Sequence, residues 1–393
     1  MSSFLSSDDI QMISQGAYGC IFKPGMNCRG EIEEEGYITK IQFDKDTTNN
    51  EYEIGIHLLN NNDSLTEFNS RFAPIVDSCP IDIGDIKKDY IKKCDVIREN
   101  SYQNTFFSNK IRYVGKYTLG DYFTVFFQDI KKSIFLSTFF DTHLYLLDSL
   151  LFLKKKSVIH FDLKENNILM DEKYYVPIII DFGLSIRKDQ LEKPVDYPEK
   201  FFQYYDKYPP WCLEIVLISF IIDGGAVSSI WGGVKLPPNT MPENRRKSTD
   251  WSSKKVKLED LLAIIEHFFK ANYLVQMITS ERIKTVQKKK WKKWIRKYYK
   301  KGGNAIYGKF LVEELMKSWD SWDTFGLSVV YFKMAKKFMP NHFISYRELL
   351  VKNILAIPDK RENPEQFSSK ISTFLSEITI SEKKDWIHSL QRT

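Results

Sequence analysis

Short apolar runs broken by Gly, Pro, Asn and Asp occupy roughly the first hundred residues. Val, Ile, Tyr and Phe cluster in ISQGAYGCIF, GYITKIQF, YIKKCDVI and NKIRYVGKYTL, a pattern that predicts strands separated by turns. Between the second and third runs, NNEYEIGIHLL sets Ile54, Leu58 and Leu59 at helical spacing. From about Leu119 the period turns helical. FLSTFFDTHLYLLDSLLFLKKK is apolar almost all round, which predicts a buried helix, and Lys154 to Lys156 sit where they favour its C-terminal end. NILM and YVPIIID predict two short strands around a turn at Asp171–Lys173, and the chain reads as loop from Asp181 to about Pro210. Segment 223–317 differs in character. Its GG pairs, LPPNTMPENRRKSTD and the tract IKTVQKKKWKKWIRKYYKKGG predict an insertion with a polar loop and helices of its own. Apolar periodicity from Trp319 onward predicts further helices. The expected organisation is a β-rich part at 1–118 and a mostly helical part at 119–393, with the insertion at about 223–317.

Composition narrows the class. A chain of 393 residues has room for two domains or one two-lobed unit, and 43% hydrophobic and 15% aromatic residues supply substantial cores. The net charge of +6 is mild and does not by itself imply nucleic acid. Cys20, Cys28, Cys79, Cys94 and Cys212 are odd in number, scattered and without a CxxC pair. That pattern predicts neither a disulfide framework nor a zinc site, and it favours a reducing, intracellular home. The start MSSFLSSDDI has no basic region followed by an apolar stretch and no Gly at position 2, so neither a signal peptide nor myristoylation is expected. The longest apolar run, Ile215 to Ile222, is far short of the roughly 18 residues a membrane span needs, so a soluble protein is expected. His57, His143, His267, His342 and His388 lack metal-ligand spacing and read as packing or surface residues.

The candidate chemistry lies in VIHFDLKENNILM, Val158 to Met170, where His160, Asp162, Lys164 and Asn167 fall between two apolar runs. Downstream, IIIDFG supplies Asp181, Phe182 and Gly183. These residue types suit phosphoryl transfer, whose loose, highly charged transition state asks the protein to position groups and neutralise charge. Asp162 would orient the incoming hydroxyl and accept its proton, and Lys164 would set a positive charge by the moving phosphoryl. Asn167 and Asp181 are hard oxygen ligands suited to Mg²⁺, and His160 would hold the loop. Upstream, SQGAYGCIF places Gly16 and Gly19 between two β runs, where backbone N–H groups can approach phosphates. Tyr18 would lie at the loop tip. Lys40 in GYITKIQF would reach the α- and β-phosphates, held by Glu51 on the following helix, with Glu53 as the alternative.

In order and spacing, this set resembles the eukaryotic-type protein kinases. The resemblance covers Ile13 to about Ile186 well and the rest thinly. It implies an α+β, bilobal, protein-kinase-like fold with a β-rich N-terminal lobe, one main helix in that lobe and a mostly helical C-terminal lobe. It also implies ATP and Mg²⁺ as cofactors. Ile13, Ser14, Gly16, Ala17, Tyr18, Gly19, Ile21, Lys40 and Glu51 would bind the nucleotide, Asn167 and Asp181 the metal, and Asp162 and Lys164 would be catalytic. PPWCLE resembles the family's A-P-E segment and PDKRENP its D-P-x-x-R-P element, which would pair Glu214 with Arg361, often as a bidentate contact. DSWDTFGL resembles a helix start whose Asp, either Asp320 or Asp323, holds the catalytic loop; a plain helix cap is the other reading.

Three positions depart from the family pattern. Ser14 replaces the first loop Gly, Ile38 the usual Ala two residues before Lys40, and Phe161 the Arg before the catalytic Asp. In the family that Arg pairs with a phosphorylated activation loop, so activity independent of such phosphorylation is expected. Lys164 resembles the Ser/Thr-directed members, which makes a Ser/Thr hydroxyl of a protein substrate the expected acceptor. GAYGCIFKP, the insertion and the abundance of Lys, Asn, Ile, Phe and Tyr resemble divergent kinases of large DNA viruses, which would place the protein in the host cytoplasm or the virion. A kinase-fold small-molecule phosphotransferase and a non-catalytic pseudokinase scaffold remain as alternatives. Finally, the basic tract at 282–301 sets Trp291, Trp294, Ile295 and Tyr298 on one helical face and lysines on the other. It reads either as a docking helix for an acidic partner, an anionic membrane or nucleic acid, or as a helix that packs its Trp face on the protein and solvates its lysines.

Overall fold

The computed structural model describes residues 11–16, 19–29, 31–32, 36–60, 64–82, 84, 86, 88–103, 105–129, 132–191, 201, 207–223, 251–299 and 303–390. Ala17 and Tyr18, part of the expected insertion (224–250) and the end of the basic tract (300–301) lie outside them. The elements run β1 (Gln11–Gln15), β2 (Gly19–Lys23), β3 (Tyr37–Gln42), α1 (Lys45–Asn60), α2 (Leu65–Arg71), β4 (Phe72–Ala73), β5 (Ile75–Asp82), α3 (Lys88–Lys93), α4 (Asp95–Glu99), β6 (Thr105–Arg112) and α5 (Leu119–Asp129). Next come α6 (Lys132–Lys155), β7 (Val158–Ile159), β8 (Ile168–Met170), β9 (Pro177–Ile180), β10 (Ile186–Arg187), α7 (Leu213–Ile222), β11 (Lys255–Lys257), α8 (Leu258–Ala271) and α9 (Tyr273–Met277). The chain continues through α10 (Glu281–Tyr299), β12 (Ala305–Tyr307), α11 (Gly308–Met316), α12 (Trp322–Phe338), α13 (Ile344–Ile354), α14 (Pro364–Glu377) and α15 (Ile380–Leu390). The protein is α+β. Two compact units form, one from Met1–Asp129 with Glu165–Ser185, the other from Ile130–Lys164 with Ile186–Thr393.

In the first unit, an antiparallel five-stranded sheet has the order β1-β2-β3-β6-β5. Side chains alternate across it. Cys20, Phe22, Ile41 and Phe106 meet Tyr90, Cys94 and Ile97 in one buried cluster. Ile38, Ile75 and Ile111 form another, with Ile21 and Tyr52 against it. Ile21 is the cross-strand partner of Lys40, so the two project from the same face. A second sheet, β4-β9-β8, packs Ile178 with Ala73 and Val114.

Two expectations are corrected in this unit. YIKKCDVI is not a strand; it spans α3 and α4. Tyr90, Cys94 and Ile97 are its buried residues, and their spacing of four then three is helical rather than two-fold. β5, which is not among the runs that predict strands, is the strand that completes the sheet edge. The cysteines are not reduced either. Cys20 pairs with Cys94 and Cys28 with Cys79, across sequence separations of 74 and 51, leaving Cys212 as a buried thiol. Spacing along the chain could not show this, because the sheet order and the helices over its face bring these positions together.

The second unit is built on α6, which is hydrophobic around most of its surface, as α12 and α14 pack against it. Phe135, Phe139 and Phe140 join Tyr331, Tyr346 and Phe374 in an aromatic core. α7 is buried at every residue. The described part of the insertion forms the β11–β12 ribbon with α8 packed on α10. Among the described residues no helix is long and apolar enough to cross a membrane.

Candidate functional site

The first unit gathers Lys40, Glu51 and Asp181. β3 delivers Lys40, whose Nζ lies 2.8 Å from Glu51 Oε2 and 3.1 Å from Asp181 Oδ1, although Asp181 is 141 residues away. Glu51 lies on the buried face of α1 with Thr48, Ile54, Gly55 and Leu58. Glu53 is exposed, which settles the choice between the two carboxylates. Burial opposes the charge on Lys40, but Asp181 and Glu51 outweigh it and hold the ammonium well above the ordinary lysine value. Burial pushes the Glu51 carboxyl up from its usual range, against the pull of Lys40.

Asp181 has φ of 63°, a left-handed conformation that Asp tolerates better than most residues and that recurs at functional sites. It turns the chain directly after β9. Ile168 opposes Ile179 in the β8–β9 pair, so Asn167 and Asp181 leave the same end of that pair. Asn167 is buried on a 3₁₀ turn, Glu165–Asn167. Asn50 of α1 donates to the carbonyls of Gly183 and Ser185, at 3.2 and 2.9 Å, tying the segment after Asp181 to the helix that carries Glu51. Sequence reasoning missed Asn50, although it lies one residue before Glu51.

The glycine-loop residues divide. Ile13 and Ser14 sit on an exposed edge strand. Gly16 N–H donates to the Gly19 carbonyl at 2.9 Å, closing the turn between β1 and β2. Gly19 has a packing reason to lack a side chain, since a Cβ there would lie 2.0 Å from the Ile41 carbonyl oxygen.

The second unit gathers Asp162, Lys164 and Tyr208. Lys164 Nζ donates to Asp162 Oδ2 at 2.9 Å and to Tyr208 Oη at 3.0 Å, while Tyr208 Oη donates to Asp162 Oδ1 at 2.5 Å. Asp323 settles the other open choice. Its two carboxylate oxygens accept the backbone N–H groups of His160 and Phe161, at 2.7 and 2.9 Å, whereas Asp320 pairs with Lys154. On the same helix, α12, a Cβ at Gly326 would lie 2.7 Å from the Leu163 carbonyl oxygen, so only glycine lets the helix approach this loop.

Phe161 is buried with φ of 67° among Phe201, Trp211 and Trp322, and Trp211 Nε1 donates to its carbonyl at 3.2 Å. Glu214 and Arg361 form a fully buried pair. It is not the expected bidentate fork: Arg361 Nη1 alone reaches Glu214 Oε1, while its Nη2 and Nε go to the carbonyls of Ala356 and Asn353. Nothing in the spacing pointed to Tyr208; a tyrosine before two prolines carries no such signal.

No protein-family model matches this chain, and no curated protein matches it.

The basic helix α10 packs its apolar face inward. Trp291, Trp294 and Ile295 are buried, and Trp291 Nε1 donates to the Leu355 carbonyl. Lys288 and Lys292 both reach Glu266, whose carboxyl they hold below its usual range. Arg282, Lys289, Lys290, Lys293 and Arg296 line the exposed side.

Proposed function

We propose that this chain is a protein kinase of the eukaryotic type, transferring the γ-phosphoryl of ATP, with Mg²⁺, to Ser or Thr hydroxyls of a protein substrate. One observation carries the reading: the Lys40 ammonium held between Glu51 and Asp181. A half-buried lysine fixed by a helix carboxylate suits the α- and β-phosphates of a nucleotide. Asn167 and Asp181, at one end of a strand pair, are a hard-oxygen set of the small size Mg²⁺ uses when phosphates and waters complete its shell. They would hold the metal, which when bound supplies charge neutralisation on the triphosphate. In the second unit, Asp162 takes the acceptor's proton and orients its oxygen, and Lys164 keeps that carboxylate in place and offers positive charge to the phosphoryl group. Asp323 fixes the loop that presents both. The aromatic packing of Phe161, where an arginine would read a phosphate, favours activity that does not depend on phosphorylation of the following segment.

The small-molecule phosphotransferase reading keeps the same Asp and Asn, but the buried Glu214–Arg361 pair favours the protein kinase. We further place an acidic partner, the phosphate backbone of a nucleic acid, on the exposed cations of α10. The apolar face that a membrane would need is already packed.

The test uses purified protein, labelled ATP·Mg²⁺ and a panel of proteins and small hydroxyl compounds. We expect Ser/Thr phosphorylation of proteins, with kcat falling by about 10²–10⁴ in Asp162→Asn and metal-dependent turnover lost in Asp181→Asn. Full kcat in either variant, or transfer to small compounds alone, overturns the assignment.

A further inference from the structure

We propose that the surface beside α10, where the β11–β12 ribbon runs into α11, binds single-stranded nucleic acid. Its bases stack on Tyr307 and Phe310, and its phosphates lie on Lys255, Lys293, Arg296 and Lys309. This deepens the nucleic-acid reading of α10 given above and rests on it. The basis is the set of side chains that the ribbon and the helix gather. The end of β12 and the first turn of α11 set Tyr307 and Phe310 on the outside, 55% and 47% exposed. Phe310 has no polar group to offer water, so its ring gains by being covered. Lys255 is the cross-strand partner of Tyr307, and its Nζ lies 5.3 Å from that ring's centroid. Lys309, between the two aromatic residues in the chain, is exposed.

The basic helix is fixed against this ribbon. Tyr299 Oη, at the end of α10, donates to the Val256 carbonyl of β11 at 3.0 Å. One turn of aromatic contacts then links the helix to α11: Trp294 meets Tyr298 with centroids 4.9 Å apart, and Tyr298 meets Phe310 at 5.9 Å. Lys297 Nζ lies 4.7 Å from the centroids of both Trp294 and Tyr298. Carboxylates are present too. Glu313 lies 3.9 Å from Lys309, Asp359 lies 3.2 Å from Lys297, and Glu314 meets Tyr298 and Lys317. They temper the charge at the ribbon end, while Lys255, Lys293 and Arg296 stay exposed.

Rings interleaved with cations discriminate among polyanions. In a duplex the base faces are stacked on one another, so only the phosphates can engage such a surface. A single strand presents phosphates and open base faces together, and every base can stack on an aromatic side chain whatever its identity. An acidic peptide would use the cations and leave Tyr307 and Phe310 uncovered. The charge complementarity and the exposed rings therefore point to one occupant, bound without sequence preference.

The experiment measures fluorescence anisotropy of the full chain with labelled oligo-dT, oligo-U, a duplex of equal length and polyglutamate, across a salt series. We expect both single strands to bind more tightly than the duplex or polyglutamate at every salt concentration. Phe310→Ala and Tyr307→Ala should each weaken single-strand binding by about 5- to 100-fold, the loss of one stacked base. Duplex binding and the salt slope should stay as in the wild type, because no phosphate contact is removed. Phe310→Trp should keep single-strand affinity, and circular dichroism should show each variant folded. Single-strand binding that ignores both alanine substitutions overturns the inference and leaves the cation reading of α10 standing. Polyglutamate bound as tightly as the single strands overturns it in favour of an acidic protein. Binding of neither single strand nor duplex overturns the nucleic-acid reading itself, and this inference with it.

Discussion

Partial burial works against the charge on Lys40, and the two carboxylates that face it more than offset that cost. Glu51→Gln keeps the size and one acceptor but removes a charge. The lost charge-assisted contact, worth about 1.5–3 kcal/mol, should lower kcat/KM for ATP by roughly 10- to 100-fold, measured by initial rates against ATP concentration. The same substitution at exposed Glu53 should change little. His143 carries a different charge argument. It is fully buried, stacked on Tyr331 at 3.9 Å with Nδ1 2.9 Å from the Tyr346 hydroxyl. Burial lowers its pKa from 6.5 to about 3. The unfolded chain takes up this proton near the ordinary value and the folded chain only near the depressed one. Between them the unfolded state binds more protons, so stability falls with falling pH, by about 1.4 kcal/mol per pH unit from this group. Denaturant titrations from pH 7 to 4.5 should show that slope in the wild type and a flatter one in His143→Phe. An identical slope would remove His143 as the source.

At the level of elements, periodicity was read well where a segment is long and poorly where it is short. The all-round apolar pattern of α6 could only be a buried helix, and the Asp171 turn was legible because its side chain accepts the N–H groups of Lys173 and Tyr174. YIKKCDVI is eight residues, too few to separate a helical period from a strand on composition alone, and only the burial of Tyr90, Cys94 and Ile97 decides it. In α10 the pattern correctly placed Trp291 and Trp294 on one face but could not say what covered them. With Glu266 occupied by Lys288 and Lys292, the cations left for a partner are on the outer face. Lys289→Glu with Lys293→Glu should weaken binding to duplex DNA and reduce the salt slope by about one per lost phosphate contact, with helix content unchanged by circular dichroism. Unaltered affinity and slope would end the docking proposal.

For the molecule as a whole, the two cystines change what holds the first unit together. Each closes a long loop, 74 and 51 residues, and such closures typically stabilise by about 2–4 kcal/mol by restricting the unfolded chain. Cys28→Ser with Cys79→Ser should therefore lower the unfolding free energy by that order, read by denaturant titration under non-reducing conditions. Loss of the same stability in wild type on adding a reductant would confirm the source. No change in either experiment would mean the pairing does not contribute.

The candidate catalytic stretch was legible in the chain alone. Asp162, Lys164 and Asn167 lie within six residues, and residues that close are positioned by local backbone geometry, which spacing and residue type report. The partners that span the chain were not. That Glu51 and not Glu53 holds Lys40, that Asp181 completes the trio from 141 residues away, that Asp323 rather than Asp320 secures the loop, that the cysteines pair, and that Tyr208 rests on Asp162 all follow from register, helix phase and packing. These depend on how distant segments come together, and one turn of a helix or one step along a strand redirects a side chain to another face.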